Sequence, residues 1–274
     1  MPAHSLHVSR LKPEQRRELE DRLYARQNGV CFICEDPIDL ELQRKALEID
    51  HIIPIAAEGK DDENNFALVH ESCNRRKSAS NLEVARILCK FYRIETEANA
   101  EPERAGQGAN LGHVLKAFGG AEEALHMVID KKTVRYSISD GSGAPITTLP
   151  VWNDNLSLME YCFARIPIKY LHHDERINPR SIGTNIRGLI EEFHKGNPQL
   201  HVALAWWNPS LGDEKIHVFD GQHKAAAQIL LGSRNLPVRI FLNPDTNVLL
   251  DANTNAGDNR PLVGGLRTND PRSA

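Results

Sequence analysis

Four short pieces decide the reading of this chain: CFIC at 31–34, EIDHIIP at 48–54, NNF at 64–66 and HESCNRRKS at 70–78. Cys31 and Cys34 are separated by two residues, and so are His70 and Cys73. Two such pairs can turn four ligands onto one Zn²⁺ tetrahedron. All four come from protein, so the predicted site is structural, with no position left open. Between the pairs, a strand is predicted over 46–53, where Leu47 and Ile49 alternate with Glu48 and Asp50. Asp50 and His51 stand side by side at its end. Asn74 opens a helix predicted over 74–89. A carboxylate and an amide oxygen suit a hard divalent ion such as Mg²⁺. A histidine beside them can take a proton from water. The ion can stabilise the leaving oxygen of a phosphodiester. Arg75, Arg76 and Lys77 supply a local positive patch for phosphates.

Around this core the chain reads as an ordinary globular protein. It has 274 residues, of which 41% are hydrophobic, enough to exclude a mostly disordered chain. The length suggests two domains. The net charge of −4 excludes a strongly basic coat, so nucleic-acid binding must come from local clusters. No apolar run approaches the ~20 residues of a membrane span. The first twenty residues hold no apolar signal core, which predicts a cytoplasmic protein. Five cysteines without such a signal argue against a disulfide framework and for bound zinc in a reducing compartment. A first helix is predicted from Pro13 to Asn28, with the RRELEDR run as its exposed face, and a strand from Phe66 to Val69. The segment 95–110 holds Pro, Gly and several acids without apolar periodicity, and marks the boundary between two units. The predicted division is 1–94, then a linker and connecting helix over 95–130, then 131–274.

The first unit resembles an HNH endonuclease, the ββα-metal fold. The resemblance covers about residues 20–90 and rests on Asp-His at 50–51, Asn65, and Cys-Asn-x-x-Lys at 73–77. His51 to Asn65 is fourteen residues and Asn65 to Asn74 is nine, separations like those in the HNH domains of CRISPR effector nucleases. The resemblance implies that His51 is the general base and that Asp50 and Asn74 hold one catalytic Mg²⁺ or Mn²⁺. It implies that Asn65 fixes the loop and the orientation of His51, and that Lys77 approaches the phosphate. The zinc site of Cys31, Cys34, His70 and Cys73 would hold the two arms together. Two departures stand out: the last position of the motif is Asn rather than His, and His70 replaces the usual Cys.

The second unit alternates strand and helix patterns. A hairpin is predicted from 133–139 and 144–150, strands at 166–171, 202–207, 216–219 and 236–242, and helices at 182–194 and 222–231. HVFDGQHKAAAQILLG at 217–232 joins a strand to a helix through a tight turn at Gly221. The start of such a helix is a natural phosphate site. This half resembles the ParB/sulfiredoxin-like superfamily, above all its Asp-Gly-Gln-His-Arg branch. IPIKYL, INPR, DGQHK, LPVRIF and LDANTNAGDNRPL carry the likeness over about 165–262. The resemblance implies that Gly221, Gln222, His223 and Lys224 line a pocket for a nucleotide, such as a nucleoside triphosphate. It implies that Asn253 or Asn255 helps hold the ligand and that Arg180 contacts phosphate. Lys224 replaces the Arg of that branch, which keeps the charge and loses the bidentate fork. No Glu precedes either Asn, as it does in nucleotide-hydrolysing relatives.

Other residues have plainer readings. Of Trp206 and Trp207, adjacent in a strand, one is expected in the core and one at the surface. His172-His173-Asp174 is expected in a solvated loop. Cys89 and Cys162 are expected to pack as small hydrophobes.

The whole chain is therefore expected to be α+β: a zinc-stabilised HNH domain followed by an α/β ParB/sulfiredoxin-like domain. Its expected partners are DNA, a nucleotide, and a second copy or a defence-system protein, with no membrane. The resemblance implies a setting in bacterial defence against phage. Rival readings are a DNA-binding regulator with a silent nuclease fold, a nucleotide-hydrolysing enzyme acting through the second unit, and an RNA nuclease.

Overall fold

The computed structural model describes residues 5–77, 80–102, 105–138 and 145–258, without the side chains of Thr184 and 255–258. A four-residue helix α1 (Leu6–Ser9) precedes α2 (Pro13–Arg26), which starts on Pro13 and buries Leu19 and Leu23. After the short helix α3 (Leu40–Gln43), β1 (Leu47–His51) and β2 (Phe66–His70) form an antiparallel pair. Its register sets Glu48 opposite Val69 and Asp50 opposite Ala67. The helix α4 (Glu71–Lys77) follows β2 without a gap. This ββα unit encloses a small core of Leu19, Leu23, Ile33, Leu47, Phe66 and Leu68.

The helix expected over 74–89 is two helices. α4 ends at Lys77, and α5 begins at Leu82, capped by the Asn81 side chain on the Glu83 amide. α5 (Leu82–Ala100) also runs into the segment expected to lack apolar periodicity. Ile94 and Ala98, four residues apart, are buried there, so the apolar stripe continues beneath the acidic face. Leu82 and Ala85 pack in the small core, while Val84, Leu88, Phe91 and Ile94 pack in the large one. One helix thus serves both.

After α6 (Leu111–Ala117), the strands β3 (Met127–Asp130), β4 (Thr133–Tyr136) and β5 (Thr147–Pro150) make an antiparallel three-stranded sheet. β4 and β5 are the arms of the expected hairpin, whose tip at 139–144 lies outside the described residues. The remaining strands are β6 (Trp152–Asn153), β7 (Glu160–Pro167), β8 (Leu171–His173), β9 (Ala203–Asn208), β10 (Asp213–Asp220) and β11 (Asn235–Leu242). They form a six-stranded mixed sheet in the order β6-β7-β11-β9-β10-β8. β11 runs parallel to β9 and antiparallel to β7. Pro237 is tolerated in this inner strand because pairing with β9 begins only at Val238. The helices α7 (Ile186–His194) and α8 (Gln222–Leu230) cover one face together with α5 and α6, and α9 (Thr246–Asp258) ends the described chain.

Both tryptophans are buried, contrary to the expectation of one inside and one outside. Trp207 faces the large core, and Trp206 belongs to a second cluster with Ile177, Phe219, Phe241 and Leu249. Leu249 lies on α9, so the opposite face of the sheet is covered too, and strand alternation no longer separates core from solvent. Nor is His172-His173-Asp174 a solvated loop. His172 and Asp174 are buried, and Asp174 accepts a 2.7 Å hydrogen bond from the Trp206 indole. Burial holds the His172 imidazole below its usual pKa. Cys162 is buried and Cys89 packs against the small core, as expected. Glu20 departs from the exposed-face reading of the RRELEDR run: it is buried and paired with Arg16 and Arg44.

Candidate functional site

The turn that carries Cys31 and Cys34 is built locally. Glu35 takes a positive φ of 63°, and its amide returns to the Cys31 carbonyl at 2.9 Å. Gln27 at the end of α2 then ties this turn to β2. Its amide nitrogen donates to the Val30 and Leu68 carbonyls, and its oxygen accepts from the Leu68 amide at 2.7 Å. Arg93 on α5 holds the turn from the other side, donating to the Cys34 carbonyl and to Asp36. The result brings one ligand atom each from Cys31, Cys34, His70 and Cys73 within 4.8 Å of one another.

Zinc fits this group. Cys34 Sγ and His70 Nδ1 are 3.4 Å apart, close to the roughly 3.5 Å edge of a tetrahedron with Zn–S near 2.3 Å and Zn–N near 2.0 Å. The His70 amide donates to Cys31 Sγ at 3.4 Å, which favours thiolate charge there. The His70 Nε2 is buried without a hydrogen-bond partner. Burial pushes the Cys34 and Cys73 thiols up, so the group is costly to ionise until a cation compensates it.

A second polar set lies between β1 and α4. Glu48 and Asp50, two apart on the strand, both meet α4. The Asn74 amide nitrogen donates to Glu48 at 2.6 Å, which leaves the Asn74 oxygen as an acceptor. Lys77, itself buried, is turned onto Asp50 with Nζ 2.7 Å from Oδ2. The other Asp50 oxygen accepts from the His51 amide at 2.8 Å. The His51 ring is buried, edge-on to Phe66 with centroids 5.0 Å apart. Its Nδ1 lies 4.0 Å from Asp50 Oδ1, and its Nε2 is 3.0 Å from Asp61. Asn65 closes the intervening loop. It donates to the Ile53 and Lys60 carbonyls at 2.9 and 2.8 Å and accepts from the Ile53 amide. Gly59 sits inside this closure, where a Cβ would lie 1.9 Å from the Ile53 carbonyl oxygen.

In this set the Asn74 amide nitrogen occupies Glu48 and the Lys77 ammonium occupies Asp50, so a cation at Asp50 would take the place of that ammonium. Glu48 and Asp61 carry no assignment from the sequence. Glu48 was visible only as the polar partner in the Leu47–Ile49 alternation, and Asp61 as one acid in a polar loop.

The residues singled out in the second half meet a cleft of about 640 Å³. Arg180 and the first turn of α8, Gly221 to Lys224, line it. Gly221 has a φ of 77°, and a Cβ there would come within 3.0 Å of the Ala203 backbone, so the turn requires glycine twice over. It offers no side chain to cap the first amides of α8. Gln222 is buried: its amide nitrogen donates to Asn178 and to the Arg180 carbonyl, while its oxygen has no partner. Burial lowers the His223 pKa, and the Arg180 charge adds to this against a hydrogen bond to the Ile182 backbone. Asn253 is not on the cleft wall; its amide is spent on the Ile177 carbonyl at 3.0 Å. The Asn255 side chain lies outside the described residues. Asn178 and Arg239 line the cleft as well, and neither stood out in the sequence.

The two halves touch close to the first site. Arg187 on α7 donates to the Ser80 hydroxyl at 2.7 Å, three residues beyond Lys77, and Ser80 donates to Glu191. No helix among the described residues is long and apolar enough to cross a membrane. No curated protein matches the chain. Residues 31–80, which hold the two Cys/His pairs, the β1–β2 pair and α4, match the family model of the HNH endonuclease.

Proposed function

We propose that this chain is a metal-dependent endonuclease that hydrolyses DNA phosphodiester bonds. The observation that carries the reading is the docking of β1 on α4, Glu48 through Asn74 and Asp50 through Lys77, with His51 next to Asp50, inside the segment that matches the HNH model. Asp50 and the Asn74 oxygen are the residues to hold the catalytic Mg²⁺ or Mn²⁺. Bound there, the ion supplies positive charge to the leaving oxygen of the phosphodiester. His51 takes a proton from water at Nδ1, the nitrogen on the Asp50 side. The water oxygen forms the new bond to phosphorus, the bond to the sugar oxygen breaks, and that oxygen gains a proton from solvent. Zinc on Cys31, Cys34, His70 and Cys73 fastens the turn before β1 to the start of α4, next to Asn74.

Supercoiled plasmid is the substrate for the test. Nicking in Mg²⁺ that stops with EDTA, returns on adding Mg²⁺, and is absent with an RNA of equal length is the expected result. A metal-insensitive or RNA-specific activity would sink the reading.

For the second half, the reading is a ParB/sulfiredoxin-like unit over 131–274 that takes a nucleoside triphosphate and gates cleavage. The cleft at the uncapped first turn of α8, with Arg180 and Lys224 on its wall, supports phosphate binding. The Arg187–Ser80 bond supports a route from that unit to the loop after α4. Lys224→Ala is expected to weaken ATP binding about tenfold by isothermal titration, the cost of one charge-assisted phosphate contact of about 1.4 kcal/mol. Unchanged affinity would remove the cleft from the account. Gating in bacterial defence rests on the resemblance of this half to that superfamily.

A further inference from the structure

The His51 ring has two nitrogens, and general-base chemistry needs one of them to carry a lone pair toward the reacting water. Its surroundings decide which. Nε2 lies 3.0 Å from Asp61 Oδ1, a hydrogen-bond distance. Nδ1 lies 4.0 Å from Asp50 Oδ1, beyond one. An ionised carboxylate only accepts, so the ring must donate from Nε2.

Asp61 is itself held from several sides. The Ser5 hydroxyl donates to Oδ1 at 2.5 Å and the His7 amide to Oδ2 at 2.9 Å. Both belong to the segment around α1, more than fifty residues away in sequence. Desolvation opposes charge on Asp61, but the hydrogen bonds from Ser5, His7 and His51 outweigh it and hold the carboxyl down to about 2. Asn65 donates to the Lys60 carbonyl, so it fixes the backbone immediately before Asp61. Phe66 meets the imidazole edge-on and restrains its plane.

We propose that Asp61 is the positioning residue of His51: it keeps the proton on Nε2, so that the Nδ1 lone pair faces Asp50, and the α1 segment locks it in place through Ser5 and His7. The proposal deepens the nuclease reading and rests on it for its catalytic meaning. It also gives Asn65 a route to His51, through the loop that carries Asp61.

The test separates the two claims. The full chain is labelled with ¹⁵N in its histidines, and the ring nitrogens are read by long-range ¹H–¹⁵N correlation at alkaline pH without Mg²⁺. His51→Ala identifies the His51 signals by their loss. The wild-type ring is expected to show a protonated, pyrrole-type Nε2 and a pyridine-type Nδ1. Asp61→Asn keeps the shape but offers an amide able to donate, and is expected to shift the ring toward the Nδ1-protonated form. Ser5→Ala, which removes one support, is expected to give an intermediate mixture. In the plasmid assay Asp61→Asn is expected to lower kcat by about 10²–10⁴-fold, with KM within about twofold. The double variant His51→Ala/Asp61→Asn is expected to be no slower than His51→Ala, because Asp61 acts only through that ring.

A wild-type ring protonated on Nδ1, a tautomer indifferent to Asp61→Asn, or additive losses in the double variant would overturn the proposal. A wild-type protein with the expected tautomer but no cleavage would instead overturn the nuclease reading, leaving Asp61 as the group that orients the ring.

Discussion

His51→Ala should lower Mg²⁺-dependent nicking of supercoiled plasmid by about 10²–10⁴-fold, the usual share of a general base. That range corresponds to about 3–5 kcal/mol of transition-state stabilisation. The size of the effect follows from how completely the ring is committed. It is buried, its Nε2 is engaged by Asp61, and Phe66 restrains its plane. On the Nδ1 side stands the Asp50 carboxylate, 4.0 Å away. The loss should appear in kcat with little change in KM, because the ring removes a proton rather than gripping the phosphate. Folding should be preserved, since the Cys31, Cys34, His70 and Cys73 group is formed without the ring and the ring meets the small core at Phe66. A His51→Ala protein that nicks at the wild-type rate would favour the regulator with a silent nuclease fold. Loss of nicking together with loss of thermal stability would mean the residue is needed for the fold, and the catalytic assignment would have to rest on Asn74→Ala.

Removal of the zinc should have a comparable effect by a different route. Cys34→Ser is expected to abolish stoichiometric zinc, read by elemental analysis, and to lower or erase the melting transition of the 31–80 segment. Structural zinc in small domains contributes on the order of 10–16 kcal/mol, as large as the whole stability of a typical domain. The small core has few large side chains to offset such a loss. Without the metal, burial favours protonated Cys34 and Cys73 thiols, so the turn at 31–34 loses its main tie to the start of α4. Asn74 immediately follows a ligand, so nicking should fall as well, and added Mg²⁺ should not restore it. Acid should ease the extraction: the thiols carry pKa values raised by burial, and proton competition with the metal grows as pH falls. A zinc-free Cys34→Ser protein with the wild-type melting temperature would show that the four residues are only a buried polar cluster.

The two ligand pairs were legible because their spacing is local: two intervening residues bring both side chains of a pair to one side of a turn, whatever the rest of the chain does. The β1 and β2 strands were legible because their apolar residues are periodic or continuous. Gly221 was legible because a strand passes directly into a helix there, and only a left-handed residue makes the turn. The break between α4 and α5 was not legible. Asn81, whose side chain caps the second helix, is a single polar residue among several between Cys73 and Leu82.

Spacing along the chain thus determined which four residues converge as a candidate zinc group, and singled out an acid, a histidine and an asparagine beside it. Tertiary structure alone decided what each of them touches. Asn74 spends its amide nitrogen on Glu48, Lys77 turns inward to Asp50, and Asp61 reaches His51 from a polar loop clasped by Ser5 and His7. It also decided that α5 joins two cores and that Trp206 is buried like its neighbour. The physical reason is the same in each case. Periodicity reports the face of one element, whereas a hydrogen bond or a covered sheet face depends on which distant segment arrives beside it.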